Sequence, residues 1–226
     1  MYIDWTYLIL IPAIIFSLAA QMMVKSAFSK YSEKLTSRRI TGADAARQIL
    51  DSSGLYGVRI ERISGELTDH YDPKANVIRL SDSVYDSTSV AAVGVAAHET
   101  GHAIQYAQGY APINIRSAII PITQIGSQLA VPIVVLGLIF SWGVLVDVGI
   151  LLYCAVVLFQ AVTLPVEFNA SGRALKILRE SYILDEDELT GAKKVLTAAA
   201  LTYVAALVSA LFSLARLLFL RNNRRR

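Results

Sequence analysis

The sequence predicts an α-helical membrane protein that carries a small α+β domain outside the bilayer. Of its 226 residues, 54% are hydrophobic and only 17% are charged, and the mean hydropathy is +0.49, which is too apolar for an ordinary soluble domain. The apolar residues are concentrated in long blocks. The polar stretch between the first two blocks contains all three histidines, so we expect any catalytic or metal-binding residues to lie there.

The first apolar block, residues 5–24, contains no charge and is long enough as a helix to cross a hydrocarbon core of about 30 Å. A secretory signal peptide is the alternative. It needs a basic segment before a shorter apolar core, whereas Asp4 precedes this block and the cations follow it. We therefore expect residues 1–24 to form an uncleaved transmembrane anchor.

Residues 25–115 are expected to form the extramembrane domain, which begins with a helix. Thr41 as a cap candidate and Gly54 as a stop signal predict that helix over residues 41–54. A second helix, from about residue 87 to about residue 108, is indicated by Ser and Asp start signals before a long Ala and Val run.

Two short strands are predicted between these helices. Residues 58–63 alternate between apolar and polar side chains, and residues 77–80 follow a turn-like segment at 72–76. We expect the two strands to pair with each other.

The later apolar blocks predict further membrane segments. Residues 119–140 and 148–164 are separated by an interruption at 141–147, so residues 116–164 are expected to form a hairpin of two spans. The last segment, 195–226, starts with 21 uncharged residues and ends in an Arg-rich tail. It is either a fourth span or a re-entrant segment.

The motif that carries chemistry is HExxH, His98-Glu99-Thr100-Gly101-His102, on the second predicted helix. Side chains four residues apart share one helix face, so His98 and His102 can place two imidazole nitrogens on one Zn²⁺. Glu99 lies at the edge of that face, where its carboxylate can reach a metal-bound water without binding the metal.

A chance match is the alternative, since HExxH is short, but three features of the sequence argue against it. The wholly apolar run 90–97 puts His98 at the boundary of a buried helix. Gly101 inside a helix costs about 1 kcal/mol relative to alanine, which indicates close approach of another backbone or of a substrate. Finally, two of the three histidines form this pair.

A catalytic zinc site needs a third protein ligand, and the candidate is Glu167. We expect Pro165 to start a second ligand helix over residues 165–194, on which Ala170 and Ala174 extend the Glu167 face and allow close packing. The alternative is that Glu167 only complements the dipole at the helix N-terminus.

Four phrases of the sequence, taken together, resemble one family. They are Asp69-His70-Tyr71-Asp72-Pro73, Val77-Ile78-Arg79-Leu80-Ser81, His98-Glu99-Thr100-Gly101-His102-Ala103-Ile104-Gln105 and Leu164-Pro165-Val166-Glu167-Phe168-Asn169-Ala170-Ser171. Over nearly its whole length the chain resembles the YugP-like family of bacterial membrane neutral zinc metallopeptidases. It is more distantly similar to the HtpX-type membrane proteases, which usually carry an aspartate where this chain has Ser171.

The resemblance implies a gluzincin-like metallopeptidase domain, with the HExxH helix packed beside a short β-sheet and one Zn²⁺ per chain. Glu99 would act as general base on a zinc-bound water and pass the proton to the leaving amine. A peptide or membrane-protein substrate could add as a further strand along Val77, Ile78, Arg79 and Leu80. The candidates for stabilising the oxyanion are His70, Tyr71 and Arg173.

The apolar blocks predict a multi-pass membrane protein, and the resemblance implies that the membrane is the bacterial plasma membrane. The distribution of cations favours a cytoplasmic active site with the N-terminus outside. If residues 116–164 form a hairpin, the two halves of the zinc site face the same compartment. The cations flanking that side are Lys25, Lys30, Lys34, Arg38, Arg39, Arg116, Arg173, Lys176, Arg179, Lys193 and Lys194. If the last block crosses the membrane, the cations on the other side are Arg216, Arg221, Arg224, Arg225 and Arg226.

Two other functions remain open from the sequence. One is a non-catalytic, zinc-stabilised membrane adaptor, and the other is an intramembrane site-2-type protease that uses Asp147 as third ligand. The apolar run before His98 is too short for a span, which disfavours the second. The lipid bilayer accounts for the basic flanks, so we expect no nucleic-acid partner, while an adaptor or an oligomer is left open.

Overall fold

The computed structural model describes residues 5–223, and that part of the chain is mostly helical with one three-stranded sheet. The helices are a 3₁₀ segment Trp5–Leu10, α1 Ile11–Ser32, α2 Gly42–Ser52, α3 Asp82–Tyr85, α4 Val90–Ala107, α5 Ala111–Ile139, α6 Gly143–Glu180 and α7 Glu186–Asn223. The strands are β1 Arg59–Ile63, β2 His70–Asp72 and β3 Val77–Ser81.

The chain divides into two compact units. One comprises Met22–Ile113 and Val166–Leu201 and contains the sheet and the HExxH motif. Within the described residues, the other is formed by 5–21, Asn114–Pro165 and 202–223.

The two predicted helices of the first unit are confirmed, and both are capped as their sequences indicate. The Thr41 hydroxyl accepts a hydrogen bond from the Asp44 N–H at 3.1 Å, and the Ser89 hydroxyl accepts one from the Ala92 N–H at 3.2 Å. Ile49 of α2 is fully buried in the same apolar cluster as residues of α4.

The predicted pairing of the two strands is also confirmed, and it is parallel: Arg59 of β1 lies opposite Val77 of β3. The third strand, β2, was not predicted. It pairs antiparallel with β3, with His70 opposite Arg79, so the order is β1-β3-β2.

This order corrects the expected site of substrate pairing. Strand β3, which contains Val77, Ile78, Arg79 and Leu80, is central and is hydrogen-bonded on both edges. Ser81 lies at the end of β3 that β2 does not reach, and its N–H donates a hydrogen bond to the carboxylate of Asp69, just before β2, at 2.7 Å. Strand β3 therefore has no free edge for a peptide, and the open edges of the sheet belong to β1 and β2.

Four helical segments of the described chain are long and apolar enough to cross a membrane: Trp5–Ser32, Ala111–Ile139, Gly143–Glu180 and Glu186–Asn223. The α5–α6 turn falls at residues 140–142, at the start of the predicted interruption. Helix α7 has no break over its length, which removes the basis for a re-entrant segment in that range. Asp4 and the tail residues Arg224, Arg225 and Arg226 lie outside the described residues.

The expected helix start at Pro165 is wrong, because Pro165 lies inside the unbroken helix α6. Proline removes one backbone donor, yet apolar membrane-type helices tolerate it, and α5 contains Pro121 and Pro132 in the same way. Glu167 is therefore far from a helix N-terminus, so the helix-dipole explanation for this residue no longer applies.

In the second unit, Asp147 and Arg221 of two long helices form an ion pair. Asp147 of α6 accepts two hydrogen bonds from the Arg221 guanidinium of α7, one of them at 2.8 Å. Gly149 permits close packing of α5 on α6, since a Cβ there would lie 2.8 Å from the Ala130 carbonyl oxygen.

Candidate metal centre

Two helices of the first unit bring three metal-binding side chains together. Helix α4 supplies His98 and His102, and α6 supplies Glu167. The Oε2 atom of Glu167 lies 3.3 Å from Nε2 of His98 and 3.5 Å from Nε2 of His102, and the ligand atoms of all three residues lie within 4.8 Å of one another. Glu167 is only 2% exposed, so the cluster lies at the inner end of a largely buried site.

The close approach of α4 and α6 depends on a glycine. A Cβ on Gly101 would lie 2.6 Å from the backbone oxygen of Ala170, closer than such atoms come in proteins. Ala170 and Ala174 are fully buried. The expectation that Gly101 marks the approach of another backbone is confirmed, and it explains why two histidines on one helix can reach a carboxylate on the other.

A buried amide fixes the orientation of the His102 ring. Gln105 Nε2 donates to the Val166 carbonyl at 2.8 Å and to Asn169 Oδ1 at 3.0 Å, so its Oε1 must be the atom that faces Nδ1 of His102, at 3.0 Å. An amide oxygen can only accept, so Nδ1 carries a hydrogen. The Nε2 atom of a neutral His102 therefore directs its lone pair toward the Glu167 carboxylate.

This arrangement requires a positive charge at the centre of the cluster. A lone pair and a carboxylate oxygen 3.5 Å apart repel each other unless a proton or a metal ion lies between them. Burial alone would lower the pKa of His102, but the hydrogen bond to Glu167 and the charges of Glu99 and Glu167 outweigh it and raise the pKa. Two imidazole nitrogens and one carboxylate are donors that Zn²⁺ takes in open sites, so the residues fit this metal.

The His98 ring is held from the other side of the cluster. Its Nδ1 lies 3.1 Å from the hydroxyl oxygen of Ser171, which leaves Nε2 facing Glu167. Ser171 thus occupies, with a hydroxyl, the position where the HtpX-type resemblance leads one to expect an aspartate. Such outer contacts set the tautomer and the orientation of metal-binding histidines.

Gln105 belongs to a polar chain that sequence reasoning did not identify. Asn169 Oδ1 also accepts a hydrogen bond from Arg173 Nε at 2.6 Å, so Arg173, Asn169, Gln105 and His102 are connected in series. The available sequence signal was a glutamine three residues after His102, on the same helix face.

Glu99 is 8% exposed, and its charge acts on His102. Within residues 5–223, no hydrogen bond to its carboxylate is found. A carboxylate kept this close to the cluster without a protein donor is available to a water molecule.

The other predicted site residues have different partners. His70 Nδ1 lies 2.8 Å from the Thr68 carbonyl oxygen, and the Tyr71 hydroxyl donates to Asn76 Oδ1 at 2.9 Å. In the described chain no hydrogen bond joins either residue to the three metal-binding side chains. Arg173 is connected to them, but only through the amides of Asn169 and Gln105.

The fold and this donor set define a mostly helical, membrane-type protein with a site able to hold a metal ion. Residues 6–222 match the family described as "Putative neutral zinc metallopeptidase", and the chain belongs to that family. It is 45% identical over 215 residues to "Putative membrane protease YugP" of Bacillus subtilis (strain 168), a match that covers 95% of this chain and 96% of that protein. The family resemblance read from the sequence is thereby confirmed. No solved structure matches the chain.

Proposed function

We propose that this protein is a membrane zinc endopeptidase that hydrolyses peptide bonds of membrane or membrane-proximal proteins, with one Zn²⁺ per chain held by His98, His102 and Glu167. The observation that carries the proposal is that Nε2 of His98 and Nε2 of His102 both face the Glu167 carboxylate, at 3.3 Å and 3.5 Å, an arrangement that needs a proton or a metal ion between them. Family membership supports zinc as that cation and a peptide as the substrate.

In this proposal Glu99 moves the protons. A zinc ion held by the three side chains would polarise the scissile carbonyl and lower the pKa of its water. Glu99 accepts a proton from the attacking water and delivers it to the leaving amine. Its low exposure, and the lack of a hydrogen bond to its carboxylate from the described residues, support this role.

We propose that the sheet and α4 form a gluzincin-like domain in which an extended substrate pairs with the open edge of β2. Since His70 and Tyr71 lie on that edge strand, they would meet the substrate there, and oxyanion stabilisation by either stays a prediction. For Arg173 we propose a positioning role instead, because its hydrogen bond to Asn169 supports the amide that orients His102.

We further propose four spans in the bacterial plasma membrane with the zinc site on the cytoplasmic side. The supporting observations are the four apolar helices and the basic residues near the HExxH unit. The domain boundaries predicted from the sequence stand as part of this proposal, except that residues 165–194 belong to two helices, α6 and α7.

Two other functions are less well supported. An intramembrane site that uses Asp147 would need to release that carboxylate from Arg221. A zinc-stabilised adaptor would need no base, and it would more often show a closed site with four protein ligands.

Replacing Glu99 by Gln tests the peptidase against the adaptor. We expect purified Glu99→Gln protein to keep about one zinc per chain and to lose at least about 100-fold of the cleavage rate on an unstructured protein substrate. Glu66→Gln, an exposed acid in a loop of the same unit, is the matched control and should cleave normally. Full cleavage by Glu99→Gln would refute the role of Glu99.

A further inference from the structure

A groove between α1 and α7, in the same unit as the metal centre, has no role in the proposed peptidase chemistry. Its volume is about 820 Å³, within the usual range for a small-molecule site. We name it the α1–α7 groove. Residues that line it include Met22, Met23 and Lys30 of α1, and Lys193, Lys194 and Leu201 of α7.

The two helices run antiparallel along the groove. The Lys34 ammonium pairs with Asp187, and a Cβ on Gly191 would lie 2.8 Å from the Tyr31 ring, so higher numbers on α1 meet lower numbers on α7. Because of this direction, the apolar residues of both helices collect at one end of the groove and the lysines at the other.

The distance between the two ends can be read from the helix rise. Met22 and Lys30 are eight residues apart on α1, and Leu201 and Lys193 are eight residues apart on α7, which is about 12 Å in each case. On α7 the uncharged run begins directly after Lys194, and on α1 it ends at Val24, between Met23 and Lys30, so the groove includes the level at which phospholipid headgroups lie along a spanning helix.

At the cationic end, no carboxylate of the described chain forms a direct ion pair with the lysines, although the charge of Lys194 acts on Asp187. Lys30, Lys193 and Lys194 are exposed, and within residues 5–223 none of them has a carboxylate oxygen within 4.0 Å. The neighbouring Lys34, by contrast, is neutralised by Asp187. Three such ammonium groups in one groove favour an anionic ligand that the protein itself does not supply.

Because one end of the α1–α7 groove is apolar and the other is cationic, we infer that it binds an anionic phospholipid. The phosphate lies among Lys30, Lys193 and Lys194, and the glycerol and first acyl carbons lie along Met22, Met23 and Leu201. This inference rests on the proposed membrane topology but not on the peptidase chemistry, so either can fail alone. Juxtamembrane lysines attract anionic lipids electrostatically, and the apolar end distinguishes a lipid from free phosphate.

Native mass spectrometry of the zinc-loaded protein in detergent tests the inference, using phosphatidylglycerol and phosphatidylcholine with the same acyl chains. We expect the wild type to retain phosphatidylglycerol in preference to phosphatidylcholine. The triple variant Lys30→Gln, Lys193→Gln, Lys194→Gln should bind phosphatidylglycerol about ten-fold more weakly. The charge-preserving variant with Arg at the same three positions should bind it as the wild type does, which guards against loss by misfolding.

A second triple variant, Lys25→Gln, Arg38→Gln, Lys176→Gln, removes the same charge from exposed positions outside the groove and should keep the preference. Equal losses in the two Gln variants would overturn the inference, because they would show a general effect of surface charge. Displacement of the lipid by millimolar inorganic phosphate would also overturn it, in favour of a free-phosphate site. Cleavage is measured on the same samples, and a lipid result either way leaves the Glu99 test unchanged.

Discussion

His102 Nδ1 lies 3.0 Å from Gln105 Oε1, and this single contact determines which ring nitrogen faces the Glu167 carboxylate. Gln105 is in turn held by the Val166 carbonyl, the residue next to Glu167. The glutamine therefore links the two helices that supply the metal-binding side chains, and it orients a ligand of one by reference to the backbone of the other.

Replacing Gln105 by Leu should weaken zinc binding about 10- to 100-fold, the usual cost of losing an outer contact of a metal-binding histidine. The measurement is a zinc competition titration with a chelator. Gln21→Leu is the matched control, since Gln21 is exposed on α1 and, in the described chain, no hydrogen bond joins it to Gln105, Asn169 or Arg173. Equal zinc affinity in the Gln105→Leu protein and the wild type would contradict the orienting role.

Replacing Gly101 by Ala should separate α4 from α6, because the new methyl group would meet the Ala170 backbone oxygen. We expect a loss of about 1–3 kcal/mol in stability together with weaker zinc binding. Gly172→Ala on α6 is the control, since nothing lies within 4 Å of the added carbon there, and it should stabilise the protein by up to about 1 kcal/mol. Thermal unfolding of both variants in detergent should show shifts of opposite sign.

Replacing Ser171 by Ala removes the partner of His98 Nδ1 and should lower zinc affinity about ten-fold. Ser171→Asp keeps an acceptor at this position and adds a charge that favours an Nδ1–H tautomer, so it should bind zinc at least as tightly as the wild type. The same chelator titration checks both variants. An Ala variant as tight as the wild type would mean that the Ser171 contact does not orient His98.

Two aspartates of the sheet region should respond to pH in opposite directions. Burial raises the pKa of Asp69, although hydrogen bonds from the Ser81 N–H and hydroxyl act against it. The folded state therefore holds this proton more tightly than the unfolded state, and stability falls as pH rises through the raised pKa. Asp69→Asn, which can keep both Ser81 contacts, should gain in unfolding temperature relative to the wild type as pH rises above the ordinary carboxyl pKa.

Asp72 is the opposite case. Its hydrogen bond with Arg79, at 3.0 Å, lowers its pKa, with help from the Ala75 N–H. The stabilisation is present above the ordinary carboxyl pKa and is lost as pH falls through the lowered one. Asp72→Asn should therefore be less stable than the wild type near neutral pH, and the difference should shrink on acidification. Parallel pH profiles for the Asp69 and Asp72 variants would contradict this assignment.

The parts of the fold that the sequence predicts are those controlled by local signals. Thr41 and Ser89 are side-chain caps, so the helices after them begin where the pattern indicates. Strand β2 has only three residues and no alternation to read, and it forms because β3 offers a free edge beside it. Pro165 misled the prediction because a proline signal read for soluble helices does not end an apolar membrane-type helix.

The candidate site divides in the same way. HExxH is a contiguous motif on one helix, and Glu167 was a candidate through its position on a small-residue face and through the family resemblance. The contacts of Gln105 and Ser171 span 61 to 73 positions in sequence, and only the folded packing of α4 on α6 defines them. The prediction that a substrate pairs with β3 was wrong for a related reason. The order of strands in a sheet depends on tertiary packing, and the local sequence does not determine it.

The central claim, that His98, His102 and Glu167 hold one zinc ion, is tested most directly by the metal content of the purified protein. We expect about one zinc per chain in the wild type and in Asp147→Asn, and a loss of most of it in Glu167→Gln and in His98→Ala. Full zinc in Glu167→Gln together with loss in Asp147→Asn would contradict the claim and favour the intramembrane alternative, and a wild type without zinc would refute the site altogether.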